Sequence, residues 1–115
     1  SDRVERYLIT KLKEIEENTI KRYSDRYQKQ GKVVTTLGWG SDEQQNYRYE
    51  QVVKNIKFQE KSVLDVGCGF GDLNSFFDKN NINISKYIGF DINQDLLNEA
   101  QNNHPNVLWR WPWEF

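Results

Sequence analysis

The stretch Val63-Leu64-Asp65-Val66-Gly67-Cys68-Gly69-Phe70-Gly71-Asp72-Leu73 decides how this chain is read. Ser62–Val66 is a short apolar run with β-branched residues, bounded by Lys61 and Gly67, and predicts a buried strand. Three glycines follow at alternate positions. From about Asp72 to Asn80 the period changes to that of a helix, with Leu73, Phe76 and Phe77 on one face. Glycine at such a junction lets the chain turn tightly and lets a ligand approach the backbone without meeting a Cβ. The helix start beyond it supplies unpaired N–H groups.

Downstream, Tyr87-Ile88-Gly89-Phe90 is a second strand candidate ending at Asp91. Leu96, Leu97 and Ala100 mark another helix, closed at His104-Pro105 because proline disfavours helix in the residue before it. Val107–Trp111 predicts a third strand. Strand, helix, strand, helix, strand is βαβαβ, whose right-handed crossovers give a parallel sheet, so the fold class is α/β. Asp91 lies 24 residues after Gly67 (91 − 67), about where a carboxylate binds ribose hydroxyls in a nucleotide-binding half-fold. The dinucleotide fingerprint is G-x-G-x-x-G, whereas this loop is G-x-G-x-G with Asp65 two residues before it. That carboxylate repels a pyrophosphate and attracts a sulfonium or ammonium group. A nicotinamide-dependent oxidoreductase is therefore disfavoured.

Upstream, residues 2–28 predict a polar helix with a narrow apolar stripe: Val4, Leu8, Leu12 and Ile15, continued by Ile20, Tyr23 and Tyr27. Such a helix lies across a domain rather than at its centre, as a packing element, with a lid or a partner-binding element as the alternatives. Gly31 ends it, and Lys32–Gly40 reads as a loop. Ser41 followed by Gln44 resembles a capping box, opening a second helix that runs to about Lys57 with Tyr49, Val52, Val53 and Ile56 on one face. The expected division is an N-terminal helical extension and lid over 1–57 and a cofactor-binding half-domain over 58–115.

Composition narrows the classes. Sixteen Lys+Arg against seventeen Asp+Glu give a net charge of -1, so no global basic field points to nucleic acid. One cysteine, Cys68, allows no internal disulfide and points to a reducing, cytoplasmic setting. No apolar run reaches the roughly 18 residues of a membrane span. Hydrophobic residues are 37% of the chain, and the core volume must come from the 14% that is aromatic. Starting on Ser1-Asp2 rather than Met points to a processed N-terminus.

The motif Val-Leu-Asp-Val-Gly-Cys-Gly-Phe-Gly-Asp-Leu, followed by Tyr-Ile-Gly-Phe-Asp-Ile-Asn, resembles the first two motifs of class I S-adenosylmethionine-dependent methyltransferases. Leu37-Gly38-Trp39-Gly40-Ser41 and Arg48-Tyr49-Glu50 resemble the lead-in of a bacterial subgroup. The resemblance covers about residues 32–110 and implies a Rossmann-like fold, an S-adenosylmethionine cofactor and methyl transfer to an acceptor it does not identify. It places Asp65 and the backbone of Gly67, Cys68, Gly69 and Gly71 against the methionine part of the cofactor. It gives Asp91 the ribose hydroxyls and Ile92 the adenine, lets Arg48 reach the methionine carboxylate, and lets Trp39 cover the pocket. Cys68 reads as a small residue that fits between glycines, and no catalytic residue or metal ligand is named.

The same resemblance implies a seven-stranded sheet ordered 3-2-1-4-5-7-6, of which this chain supplies the first three strands. The expectation is a truncated fold that lacks one wall of the pocket, a loss that leaves open whether it is active alone, with Trp111-Pro112-Trp113-Glu114-Phe115 standing where the family has an adenine-contacting acid. Trp109, Trp111 and Trp113 alternate, so in a strand they would share one face and form an exposed ladder of indoles. With an open edge on the first strand, the chain is expected to be a homodimer through that edge or the C-terminal aromatic strand. Folding of the first helix over the open edge is the competing expectation. The alternative to an enzyme is a non-catalytic cofactor-binding or self-associating module.

Overall fold

The structure, a computed structural model, describes residues 2–37 and 39–112. Helix α1 spans Asp2–Gln30 and α2 spans Asp42–Asn55, with a short 3₁₀ turn at Val34–Leu37 between them. Then follow β1 (Ser62–Val66), α3 (Asp72–Lys79), β2 (Lys86–Phe90), α4 (Gln94–Asn103) and β3 (Leu108–Arg110). The three strands are parallel in the order β1-β2-β3, so the chain is the expected α/β βαβαβ unit of a Rossmann-like half-fold.

Local chemistry explains the element ends. Gly31 adopts φ +72°, and its amide donates to the Tyr27 carbonyl at 2.7 Å, a left-handed stop for α1. Ser41 caps α2 by accepting the Gln44 amide at 3.1 Å. The Gln44 side chain reaches back one residue further than a capping box does, accepting from the Gly40 amide at 2.7 Å. The helix after it stops at Asn55, two residues short of the sequence expectation, where Ile56 turns extended.

Register puts Leu64 beside Ile88 and Leu108, and Asp65 beside Gly89 and Trp109, on opposite faces of the sheet. The Val63–Tyr87–Trp109 face is covered. Phe76 and Phe77 of α3 form the core with Tyr87, and Tyr49 and Val53 of α2 pack against it. Ring contacts run from Phe77 to Tyr87 (6.4 Å between centroids) and on to Trp109 (5.7 Å).

The indole ladder expected of the third strand does not form. Trp109 is half-buried against its own chain, and a Cβ on Gly71 or Gly89 would collide with its ring. Its Nε1 donates to the His104 carbonyl at 2.9 Å. Strand β3 ends at Arg110, so Trp111 leaves the ladder and its Nε1 donates instead to the Ile92 carbonyl at 3.1 Å. Trp113 and Glu114 lie outside the described residues.

The first helix lies across the carboxyl ends of the strands only with its C-terminal half. Asn93 donates through Nδ2 to the Ile20 carbonyl (3.1 Å) and to Ser24 Oγ (3.0 Å), and Tyr27 donates to Glu99 Oε2 at 2.7 Å. Residues 2–15 are exposed throughout and extend past the domain. The radius of gyration is accordingly 16.0 Å, whereas a compact chain of this length has about 13 Å.

Candidate functional site

Beyond β1 the chain enters its glycine loop. Gly67, Gly69 and Gly71 have φ of +76°, +56° and +80°, and this left-handed repeat is what requires glycine at alternate positions. The amides of Gly67 and Cys68 both donate to the Phe90 carbonyl, at 2.7 and 2.9 Å, which pins the loop to the end of β2. From the other side Asp91 accepts the Gly69 amide through Oδ2 at 2.8 Å. Its Oδ1 accepts the Asn93 amide at 2.9 Å. Asn93 is buried, caps α4 by accepting the Leu96 amide at 3.2 Å, and carries the two contacts to α1.

These elements enclose a cavity of about 430 Å³. Of the residues singled out in the sequence, Asp65, Gly67, Cys68, Gly69, Asp91, Ile92 and Trp39 line it. Two do not. Gly71 caps α3 and makes room for Trp109, and Arg48 is exposed on α2. The adjacent Tyr49 faces the cavity in its stead. Sequence reading assigned Tyr49 to the apolar face of α2, which is also correct, since it packs edge-on against Phe76 at 5.5 Å. Thr19, Ile20 and Tyr23 of α1, with Leu37 and Asn93, add to the wall and were not singled out as site residues; Leu73 and Leu96 line it as well. The signal for them was the continuation of the α1 stripe through Ile20 and Tyr23.

Charge within the cavity is one-sided. Two carboxylates, Asp65 and Asp91, line it, and no Lys or Arg does among the described residues. Burial pushes the Asp65 carboxyl above its usual range; the hydrogen bond donated by Tyr87 opposes that shift, and the negative charge of Asp91 adds to it. The Tyr87 and Tyr49 phenols are pushed up, by burial first and then by nearby carboxylates, so both stay protonated as donors. Burial likewise raises the Cys68 thiol, with Asp91 and Asp65 adding to it, which leaves no thiolate to act as a nucleophile.

Gly67 presents open backbone to this space: a Cβ there would meet nothing within 4 Å. Gly69 is different, because Leu37 side-chain carbons lie 3.1 and 3.3 Å from where its Cβ would be. A second, larger groove of about 680 Å³ lies between residues 32–33, α2 and α3. Its charges are mixed, with Lys32 and Lys79 alongside Asp42, Glu50 and Asp72, and Tyr49 separates it from the first cavity. Of the glycine loop only Phe70 reaches it, and Asp91 does not. Among the described residues no cluster of His, Cys, Asp and Glu could hold a metal ion, and no helix is long and apolar enough to cross a membrane.

No family model matches the sequence, and no curated protein matches it either. Solved structures do overlap it. A protein of Pyrococcus horikoshii is 23% identical over 61% of this chain and 32% of its own, with a TM-score of 0.45. DesVI of Streptomyces venezuelae is 22% identical over 75% of this chain and 34% of its own, with a TM-score of 0.49. A TehB-like SAM-dependent methyltransferase from Corynebacterium glutamicum is 20% identical over 83% of this chain and 45% of its own, with a TM-score of 0.45. The chain thus spans between 32% and 45% of the length of these proteins. Because each TM-score is below 0.5, the fold assignment rests on this chain's own strand order and crossovers.

Proposed function

We propose that the chain binds S-adenosylmethionine in the cavity between the glycine loop, Asp91 and α1, as the cofactor-binding portion of a methyltransferase. The observation that carries this reading is the charge of the cavity: two carboxylates and no lining cation. Such a site favours a ligand with a positive centre and hydroxyl donors over one with phosphates. S-adenosylmethionine has both, a sulfonium and an ammonium at one end and a ribose diol in the middle.

The residues present fit that group. Asp65 supplies a half-buried negative charge, held in place by the Tyr87 hydroxyl. Gly67 offers backbone that a ligand can approach closely. Each Asp91 oxygen accepts one amide and has a further lone pair for a hydroxyl donor. Ile92, Trp39, Ile20 and Tyr23 give apolar surface for an adenine ring. Arg48 has no part in this version of the site. The bound cofactor would supply an electrophilic methyl group on positively charged sulfur, and the chain's residues contribute binding, orientation and exclusion of water. The acceptor belongs to the part of the reaction these residues do not define.

Calorimetric titration tests the reading. S-adenosylmethionine and S-adenosylhomocysteine are expected to bind, and NAD is not. Binding of NAD with no response to the other two overturns the proposal.

A further inference from the structure

Four non-aromatic polar side chains are buried among the described residues: Thr36, Gln45, Asn74 and Asn93. Three of them are bonded. Thr36 donates to the Gly31 carbonyl, Gln45 to Asp72, and Asn93 to the Ile20 carbonyl of α1. Asn74 is the exception. It is 7% exposed, yet no described residue forms a hydrogen bond with its carboxamide, and neither of its polar atoms is sealed from solvent. A buried amide without a partner gives up hydration and gains nothing in return. Helix propensity does not account for Asn at an interior position of α3 either. A buried polar group left open in this way marks a place where water or a ligand completes the bonding.

The amide faces a third cavity, of about 390 Å³. Helix α3 supplies Asn74 and, one turn on, Phe77 and Asp78; residues 82–84 and the starts of β2 and β3 close the other sides. The cavity lies at the amino ends of β2 and β3, whereas the glycine loop follows the carboxyl end of β1, and no residue lines both sites. Strand β1 contributes nothing to it. Its floor is apolar and at least half-buried, made by Phe77, Ile82, Ile84 and Val107. Asn83 and Asn106 stand exposed at the rim, and their side chains also have no partner among the described residues. The rim carries one charge of each sign, Asp78 and Lys86, neither in an ion pair among the described residues.

This chemistry narrows the ligand. Opposite charges at the rim offset each other, so neither a bare anion nor a bare cation is favoured. A single lysine gives no track for a phosphate backbone, which argues against a base presented on a nucleic-acid strand. An apolar floor with a few placed polar groups is the make-up of a small-molecule site, and the volume stands at the lower end of the range for one. A carboxamide pairs at two points with an edge that sets a donor beside an acceptor, as nucleobases do.

We propose that this cavity takes the base of a free nucleoside, with its flat face on the apolar floor and its donor–acceptor edge on Asn74. Asn83 and Asn106 contact the parts of the ligand left outside. The site is separate from the proposed cofactor cavity and does not depend on that reading.

The experiment is titration of the ¹⁵N-labelled full chain with adenosine and with uridine. It is read at the Asn74 side-chain amide and at the backbone amides of Asp78, Asn83 and Asn106. Saturable shifts of these resonances at millimolar concentration are expected with at least one of the two nucleosides. Asn74→Leu keeps the volume and is expected to match the parent in circular dichroism while weakening binding about tenfold, the scale of the lost hydrogen bonds. Where that variant does not fold, Asn106→Ala at the exposed rim is expected to weaken binding about threefold. Lys86→Ala is expected to leave the affinity unchanged. No shift at these amides with either nucleoside overturns the proposal. So does undiminished binding by Asn74→Leu or, where it does not fold, by Asn106→Ala. Loss of binding in Lys86→Ala overturns it as well, because it marks a site for an anion.

Discussion

Asp91 at the end of β2 accepts the Gly69 amide at 2.8 Å, so the acid of one motif holds the glycine loop of the other. The two motifs are one structural unit, and Asp91 is tied into the fold as well as facing the cavity. Asp91→Ala orphans the Gly69 and Asn93 amides together. It is expected to lower the melting temperature and to weaken S-adenosylhomocysteine by about 1–3 kcal/mol, the scale of a charged hydrogen bond. Asp91→Asn keeps a carbonyl acceptor and is expected to lose less of both. A folded Asp91→Ala protein with unchanged affinity would take Asp91 out of the site.

Asp65 sets a trade between stability and charge recognition. Its carboxyl is raised, first by burial, so the folded state holds that proton more tightly than the unfolded chain does. The stability this gives is complete below the ordinary Asp range, about pH 4. It is lost as pH rises through the raised value. Asp65→Asn removes the half-buried charge and keeps an acceptor for the Tyr87 hydroxyl. At neutral pH it is expected to be at least as stable as the parent, with a flatter pH profile above about pH 4 in thermal melts. It is also expected to lose about tenfold more affinity for S-adenosylmethionine than for the uncharged sulfur of S-adenosylhomocysteine, roughly 1.4 kcal/mol of selectivity. Equal losses for the two ligands would remove the carboxylate's role in reading the cation.

Two glycines separate ligand space from packing space. A Cβ at Gly67 projects into open space, whereas one at Gly89 meets the Trp109 ring. Gly67→Ala is expected to cost about 1–2 kcal/mol of stability from its left-handed backbone and a large share of cofactor affinity. Gly89→Ala is expected to cost about 1–3 kcal/mol by overpacking, with the residual folded protein binding normally. Chemical denaturation and calorimetry on the same samples separate the two effects. Gly69→Val mixes them, because its φ is positive and Leu37 stands in its way.

Asn93 joins α1 to the site. Removing its side chain takes away the cap of α4 and both contacts to Ile20 and Ser24. Asn93→Ala is expected to lower stability by about 1 kcal/mol through the lost cap. It is also expected to raise amide exchange of α1 between Thr19 and Tyr27 in hydrogen-exchange mass spectrometry. Cofactor bound under α1 is expected to slow exchange there in the parent chain. Unchanged α1 exchange in both experiments would mean that the helix is not a cover for the cavity.

The strands and crossovers were legible because each apolar run is short and bounded by Gly, Lys or Asp, with a clear change of period at Asp72. Asp65, Gly67 and Asp91 were legible because loop chemistry at a strand end is local in sequence. Arg48 and Tyr49 were harder: one residue is 100° of helix, and only the packing of α2 on Phe76 decides which of the two faces the cavity. Trp109 was misread because alternation says which face a side chain takes but not what receives it. The recess made by Gly71 and Gly89 lies on two other elements. The α1 contribution was visible as a stripe, yet its end point, on Asn93 some seventy residues away, is a tertiary fact.

The most direct test of the central claim is a map of backbone amide shifts in the ¹⁵N-labelled chain as S-adenosylhomocysteine is added. The expected result is saturable movement of Gly67, Cys68, Gly69, Ile92 and Asn93, with Ile20 and Tyr23 of α1 following. Shifts centred on Lys32, Asn46 and Lys79 in the larger groove, or no shifts at all, would contradict it.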